Sequence, residues 1–162
     1  MKNKNEMILI SVLIFISILL LAFMDFIVLE KIYKPVSSQY NIPFNEFNAS
    51  LFGFQLPMQW WHVAFFPLAF ILFILLGIAA RNWRLSLSGI ILFLTGWEDI
   101  FYYLIQLKWL PYNMSWLDPT PVMGLTRFIL PGEHVTSTGV LISAFTGLFA
   151  ARIIITRTNP VK

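Results

Sequence analysis

Cysteine is absent from the 162 residues, so disulfides, thiolate metal sites and cysteine nucleophiles are excluded. Charge is scarce too. Asp, Glu, Lys and Arg make up 12% of the chain, against about a quarter in an ordinary soluble domain. No Gly-rich phosphate loop, G-x-S-x-G elbow or covalent haem motif occurs, and neither does an internal repeat or low-complexity tract. The net charge of +3 forms no basic cluster beside an aromatic platform, so nucleic acid is not an expected partner.

What fills the chain is apolar. It is 58% hydrophobic with a mean hydropathy of +0.75, which places it in the membrane class. Residues 7–29, MILISVLIFISILLLAFMDFIVL, suffice to span a hydrocarbon core of about 30 Å at roughly 1.5 Å per residue. This run exceeds the roughly 7–15 apolar residues of a signal peptide, and no A-x-A-like site follows, so a retained helix is expected. Further spans are expected over 61–80, 85–107 and 133–155. The fold class is all-α: one integral-membrane domain built as a bundle of four transmembrane helices.

Trp60 and Trp61 suit a headgroup belt at the start of the second span, as do Trp109, Tyr112 and Trp116 after the third. Pro67 falls near the first turns of its helix, where neighbours can absorb a kink. Asp118-Pro119 has the form of an N-cap followed by Pro at the first helical position. A short interfacial helix is therefore expected over 120–130, between helices three and four.

Basic residues near the span ends set the orientation. Lys2, Lys4, Arg81, Arg84, Arg152, Arg157 and Lys162 fall on one side, seven of the eleven basic residues, against the single acid Glu6. The other side holds Lys31, Lys34, Lys108 and Arg127 against Glu30, Glu46, Asp118 and Glu133. An integral protein of the cell membrane, with both termini cytoplasmic, is the expectation.

This orientation gathers the intramembrane polar groups at one level. Glu98 lies about 21 Å along the third span from Arg84, in its outer half. Asp25 is near the outer end of the first span, His62 opens the second, and Glu133 and His134 open the fourth. Along the third helix, Ser88, Thr95, Glu98, Asp99, Tyr102 and Gln106 fall within roughly 100° of one another. Phe93, Trp97, Phe101 and Leu104 take the other side. A charge at the bilayer centre costs about 2.5–3.5 kcal/mol on the most lenient scale, so the stripe should face protein or water.

Two adjacent acids exceed what helix association requires, and a functional polar site is the stronger expectation. Glu98, Asp99 and Tyr102 are the candidate catalytic groups, a carboxylate serving as general base and Tyr102 or His62 as hydrogen-bond donor. Asp25, His62, Tyr103, Gln106, Arg127, Glu133 and His134 are candidate substrate-binding residues. A structural role, with Glu98 or Asp99 paired to Arg127, Lys108 or His62, is the alternative. The cofactor is undetermined. A divalent metal would draw on His62, Glu98, Asp99 and His134, but neither the Glu-x-x-His motif of di-iron bundles nor H-E-x-x-H is present.

The expected function is binding or modification of a lipid or other amphiphilic small molecule at this outer-leaflet site, membrane lipid being the partner. A small oligomeric proton-coupled transporter and a non-catalytic scaffold, joined to copies of itself or to another membrane protein, are the alternatives. On the fourth span, Gly139, Ser143, Gly147 and Ala151 recur at four-residue spacing, a small face suited to close helix packing.

Overall fold

The computed structural model describes residues 4–40, 46–51, 54–118, 122, 125–126, 132 and 134–156, with side chains described from 8 onward except over 41–64. Helix α1 spans Lys4–Phe26 and continues through a π-helical stretch, Ile27–Tyr33, into α2, Lys34–Tyr40. The outer connection was expected to begin at residue 31; instead the helix runs on to Tyr40. Pro35 supplies no N–H to the carbonyl four residues back, which fits a widened turn just before it. The i,i+4 pair of Glu30 and Lys34 bridges that turn. Strands β1, Glu46–Leu51, and β2, Phe54–Gln59, then form a short antiparallel hairpin in the connection.

Helix α3, Trp60–Ala79, runs through Pro67 without ending. A tight turn with Arg81 at φ +48° leads to α4, Trp83–Leu92. After it come a π-helical stretch, Phe93–Trp97, and α5, Glu98–Ile105. A one-turn 3-10 helix, Ser115–Leu117, lies in the next connection, and α6 spans Ser137–Thr156. Val122, Leu125 and Thr126 are helical, but most of the expected interfacial helix lies outside the described residues.

Among the described residues, three helical segments are long and apolar enough to cross a membrane: Ile8–Tyr40, Trp83–Ile105 and Ser137–Thr156. Phe65–Ala79 is a shorter apolar helix over its described side chains. Their inner faces carry the core, including Ile14, Ile18, Leu21, Phe73, Leu85 and Leu92. Phe93 sits within 6.0–6.3 Å, ring to ring, of Phe65, Phe66, Phe70 and Phe73 of α3. Outward faces stay apolar, with Leu9, Leu20, Leu75, Ile78, Phe145 and Phe149 exposed.

The small face of α6 is buried along its length, through Gly139, Ser143, Gly147 and Ala151. A Cβ at Gly147 would stand 2.1 Å from Thr95 Oγ1, so only glycine permits this approach. Nearby, Ser88 Oγ donates to the Ala151 carbonyl at 3.3 Å and the Trp97 indole N–H donates to the Ala144 carbonyl at 2.8 Å. Between apolar helices in lipid, such close packing and hydrogen bonding hold the contact, because the lipid tails are as apolar as leucine.

Candidate functional site

The third apolar segment is not one regular helix. Gly96 has φ +94° and ψ +13°, a conformation a side chain would strain, and it sits inside the π-helical stretch. A Cβ there would also meet Val140 Cγ1 at 3.2 Å. The break resets the helical phase, and this divides the polar stripe expected on one face. Ser88 and Thr95, before the break, meet α6. Glu98, after it, is buried where α5 packs on α1 and interacts electrostatically with Asp25 there. Trp97 and Phe101, expected on the side away from the stripe, also pack on α1, edge-on to Phe15 with ring centroids 5.1 and 6.3 Å away. Broken or π-bulged helices recur where backbone lines a functional site.

Asp25 is 8% exposed and Glu98 9%, so two acids from separate helices are sequestered together. Asp25 Oδ1 and Glu98 Oε1 have no hydrogen-bond partner among the described residues, nor does Ser143 Oγ on α6. Asp99 is half-buried and interacts electrostatically with both acids. The Trp116 side chain also interacts with its carboxylate. Among the described residues, no ion pair reaches any of the three carboxyl groups.

A chain of polar contacts leads away from this cluster along the helix ends. The Tyr102 hydroxyl donates to Glu30 Oε1 at 2.8 Å, and Glu30 in turn accepts from the Lys34 ammonium. Gln106 donates to the Tyr102 carbonyl at 3.4 Å and accepts from Lys108 at 3.0 Å. Aromatic rings run beside this chain: Phe26 against Tyr102, Tyr102 against Tyr103, and Tyr103 against Trp116, at 6.3, 5.5 and 6.3 Å.

Above the cluster, the connection after α5 is tied to the start of α6. Met114 N–H donates to the Val135 carbonyl and Ser137 N–H to that of Tyr112. Asp118 Oδ1 accepts from Val135 N–H at 2.7 Å while Oδ2 contacts His134 Nδ1 at 2.6 Å. Asp118 thus anchors the last helix; the cap positions expected after it lie outside the described residues. Beneath this tie, Met114, Leu117, Val122, Val135 and Val140 form a second small core that packs on Ile100 and Tyr103. Replacing Asp118 by Ala should cost about 1.5–3 kcal/mol, because it strands a buried amide. His134→Ala should cost about 0–1 kcal/mol, its partner being an exposed pair. Chemical melting of both variants checks the order; equal losses would show that the ring, not the backbone amide, holds the loop.

The expected site residues therefore separate. Asp25, Glu98 and Asp99 come together, Tyr102, Tyr103 and Gln106 lie along the adjoining chain, and His134 is exposed beside Asp118. The side chains of His62, Arg127 and Glu133 lie outside the described residues. Among the described residues, no group of three His, Asp or Glu is placed to hold a metal ion. Sequence reasoning missed Glu30, whose proximity to Tyr102 follows from the helix continuing past residue 29. It also missed Trp116, whose contact depends on how a connection folds back. Gly96 inside an apolar run, two residues before a pair of acids, was the signal for the break.

Fold and site together define a helical chain with three helices long and apolar enough to cross a membrane, and an acidic cluster buried between two of them. The chain matches no protein family, no curated protein and no solved structure. Its chemistry must be read from its own residues.

Proposed function

We propose that the chain is a four-span protein of the cell membrane that binds or modifies an amphiphilic small molecule at an acidic site in its outer half. Helix α3, Trp60–Ala79, serves as the fourth span, since its 20 residues rise about 30 Å. The observation that carries the proposal is the meeting of Asp25 and Glu98, each with a buried oxygen that has no partner among the described residues. Two buried acids without a facing cation are a costly way to join helices. They are an effective way to bind a positively charged headgroup, and the Phe26–Tyr102–Tyr103–Trp116 row adds ring faces to which an ammonium is drawn. If the chain also modifies its ligand, a carboxylate of this cluster is the general base and Tyr102 the hydrogen-bond donor.

Proton-coupled transport is a second reading, favoured by the break at Gly96, because transporter sites form where membrane helices are interrupted. Against it stands the inner half of the bundle, filled by Ile14, Phe73, Leu85 and Leu92.

Mass spectrometry of protein isolated in mild detergent tests the proposal. A lipid or amphiphile with a cationic headgroup should co-isolate with the parent and be lost from Asp25→Asn. Equal retention by both, or no bound amphiphile in either, would overturn it.

Orientation is tested separately in the cysteine-free background. Single cysteines at Ser38, Ser115 and Thr158 should react with an impermeant thiol reagent in intact cells only at the first two. Labelling at Thr158 alone would invert the topology and move the site to the cytoplasmic leaflet.

A further inference from the structure

Ligand binding leaves one feature of the cluster unexplained: both acids are sequestered, each with an unpartnered oxygen, and no ion pair among the described residues offsets either charge. Two carboxylates held together away from water without a counter-charge repel each other and lose their hydration, a cost that a proton on one of them relieves. We propose that the Asp25–Glu98 pair is a proton-binding site that exchanges with a single aqueous phase, through Tyr102 and Glu30. The inference concerns the same cluster as the proposed function but does not depend on an amphiphile being bound.

The route outward is continuous in chemistry. Tyr102 lies one turn after Glu98 on α5, its ring packs on Phe26 next to Asp25, and its hydroxyl donates to Glu30 Oε1 at 2.8 Å. The Glu30 side chain is 26% exposed and its partner Lys34 49% exposed, so this end of the chain meets water. In one transfer, the pair gives its proton to the Tyr102 oxygen and the tyrosine passes its own to the Glu30 carboxylate. Glu30 then releases that proton to water. Tyr102 ends unchanged and the pair ends one proton poorer; the reverse sequence reloads it.

Inward there is no comparable path among the described residues. Ile14, Ile18, Phe73, Leu85 and Leu92 are buried there, and Ser88 spends its hydroxyl on the Ala151 carbonyl. The groups facing the pair are few. Glu30, paired to Lys34, acts on Asp25 from the first helical segment, and α5 brings Asp99 and Tyr102. Lys108 acts on Glu30 from the following connection, and Trp116 interacts with Asp99. Helix α6 carries no Asp, Glu or His over Ser137–Thr156. The side chain of His62 on α3 lies outside the described residues. Among the described residues, no trio of ligands is placed to hold a metal ion.

Infrared spectroscopy of the reconstituted full chain tests the proposal. The parent should show a protonated carboxyl stretch that disappears in Asp25→Asn and in Glu98→Gln. On transfer to D₂O this band should shift quickly in the parent and at least tenfold more slowly in Tyr102→Phe and Glu30→Gln, with the band itself retained. Glu30 lies at the surface, so its variant reports even where Tyr102→Phe disturbs packing. A parent lacking the band, or exchange at the parent rate in Glu30→Gln, would overturn the proposal. A band with slowed exchange in protein that holds no amphiphile would sustain the proton site and remove only the ligand reading.

Discussion

Glu98→Gln is expected to melt at or above the temperature of the parent while its ligand affinity falls on the order of 100-fold, the loss typical of removing a buried charge from a charged contact. The sign of the stability change is the informative part. Had Glu98 been half of a buried ion pair, removing its charge would strand the partner and cost roughly 3–5 kcal/mol. In the structure it faces Asp25 and Asp99, both acids, and no ion pair reaches it among the described residues. The amide keeps size and hydrogen bonding while removing repulsion and the cost of burying a charge. Stability that rises as function falls is what a working site produces, because such sites hold groups the fold alone would not choose. Thermal melting in detergent, paired with ligand binding, decides. A large drop in melting temperature with binding retained would make Glu98 structural.

Gly147→Leu should produce the largest loss of stability of any single change considered. A Cβ there would lie 2.1 Å from Thr95 Oγ1 and 2.8 Å from its carbons, so α6 must move away from the third apolar segment. Overpacking of this severity costs roughly 3 kcal/mol or more, a fall of about 6–12 °C in melting temperature for a chain of this size. The separation would also stretch the Ser88–Ala151 and Trp97–Ala144 hydrogen bonds, which bridge the same two elements. Gly139→Leu should cost less, since its neighbour is the Thr126 side chain at 3.0 Å. In a Thr95→Ala background the milder Gly147→Ala should recover part of its loss, since the 2.1 Å contact with Oγ1 is then gone while that with Cβ at 2.8 Å remains. A Gly147→Leu protein that melts like the parent would place this face toward lipid.

The apolar runs made the long helices legible, because a 30 Å hydrocarbon core demands about 20 apolar residues whatever the packing. Counting along those runs also put Asp25 and Glu98 at one depth. The rest depended on backbone departures that periodicity cannot anticipate. An unbroken 100° period carried Ser88, Thr95 and Glu98 on one face; the positive φ of Gly96 sends the first two to α6 and the third to α1. The end of the first helix was misplaced because Glu30, Lys31 and Lys34 look like a loop by composition, whereas Glu30 and Lys34 pair across a continuing helix and Lys31 lies over the Phe26 ring. The Asp118-Pro119 pair suggested a local cap, whose positions lie outside the described residues; the contact of the Asp118 carboxylate with Val135, seventeen residues on, joins segments in a way no local motif encodes.

The central claim is that Asp25 and Glu98, from separate helices, act as one site, and a double-mutant cycle on melting free energy tests it most directly. If each acid is destabilised by the other, Asp25→Asn and Glu98→Gln should each stabilise or leave stability unchanged. The double variant should then gain less than the sum of the two, since either substitution removes the shared term, with a coupling of at least about 0.5 kcal/mol. Strictly additive effects would mean that the two carboxyl groups do not sense each other, and would contradict the site.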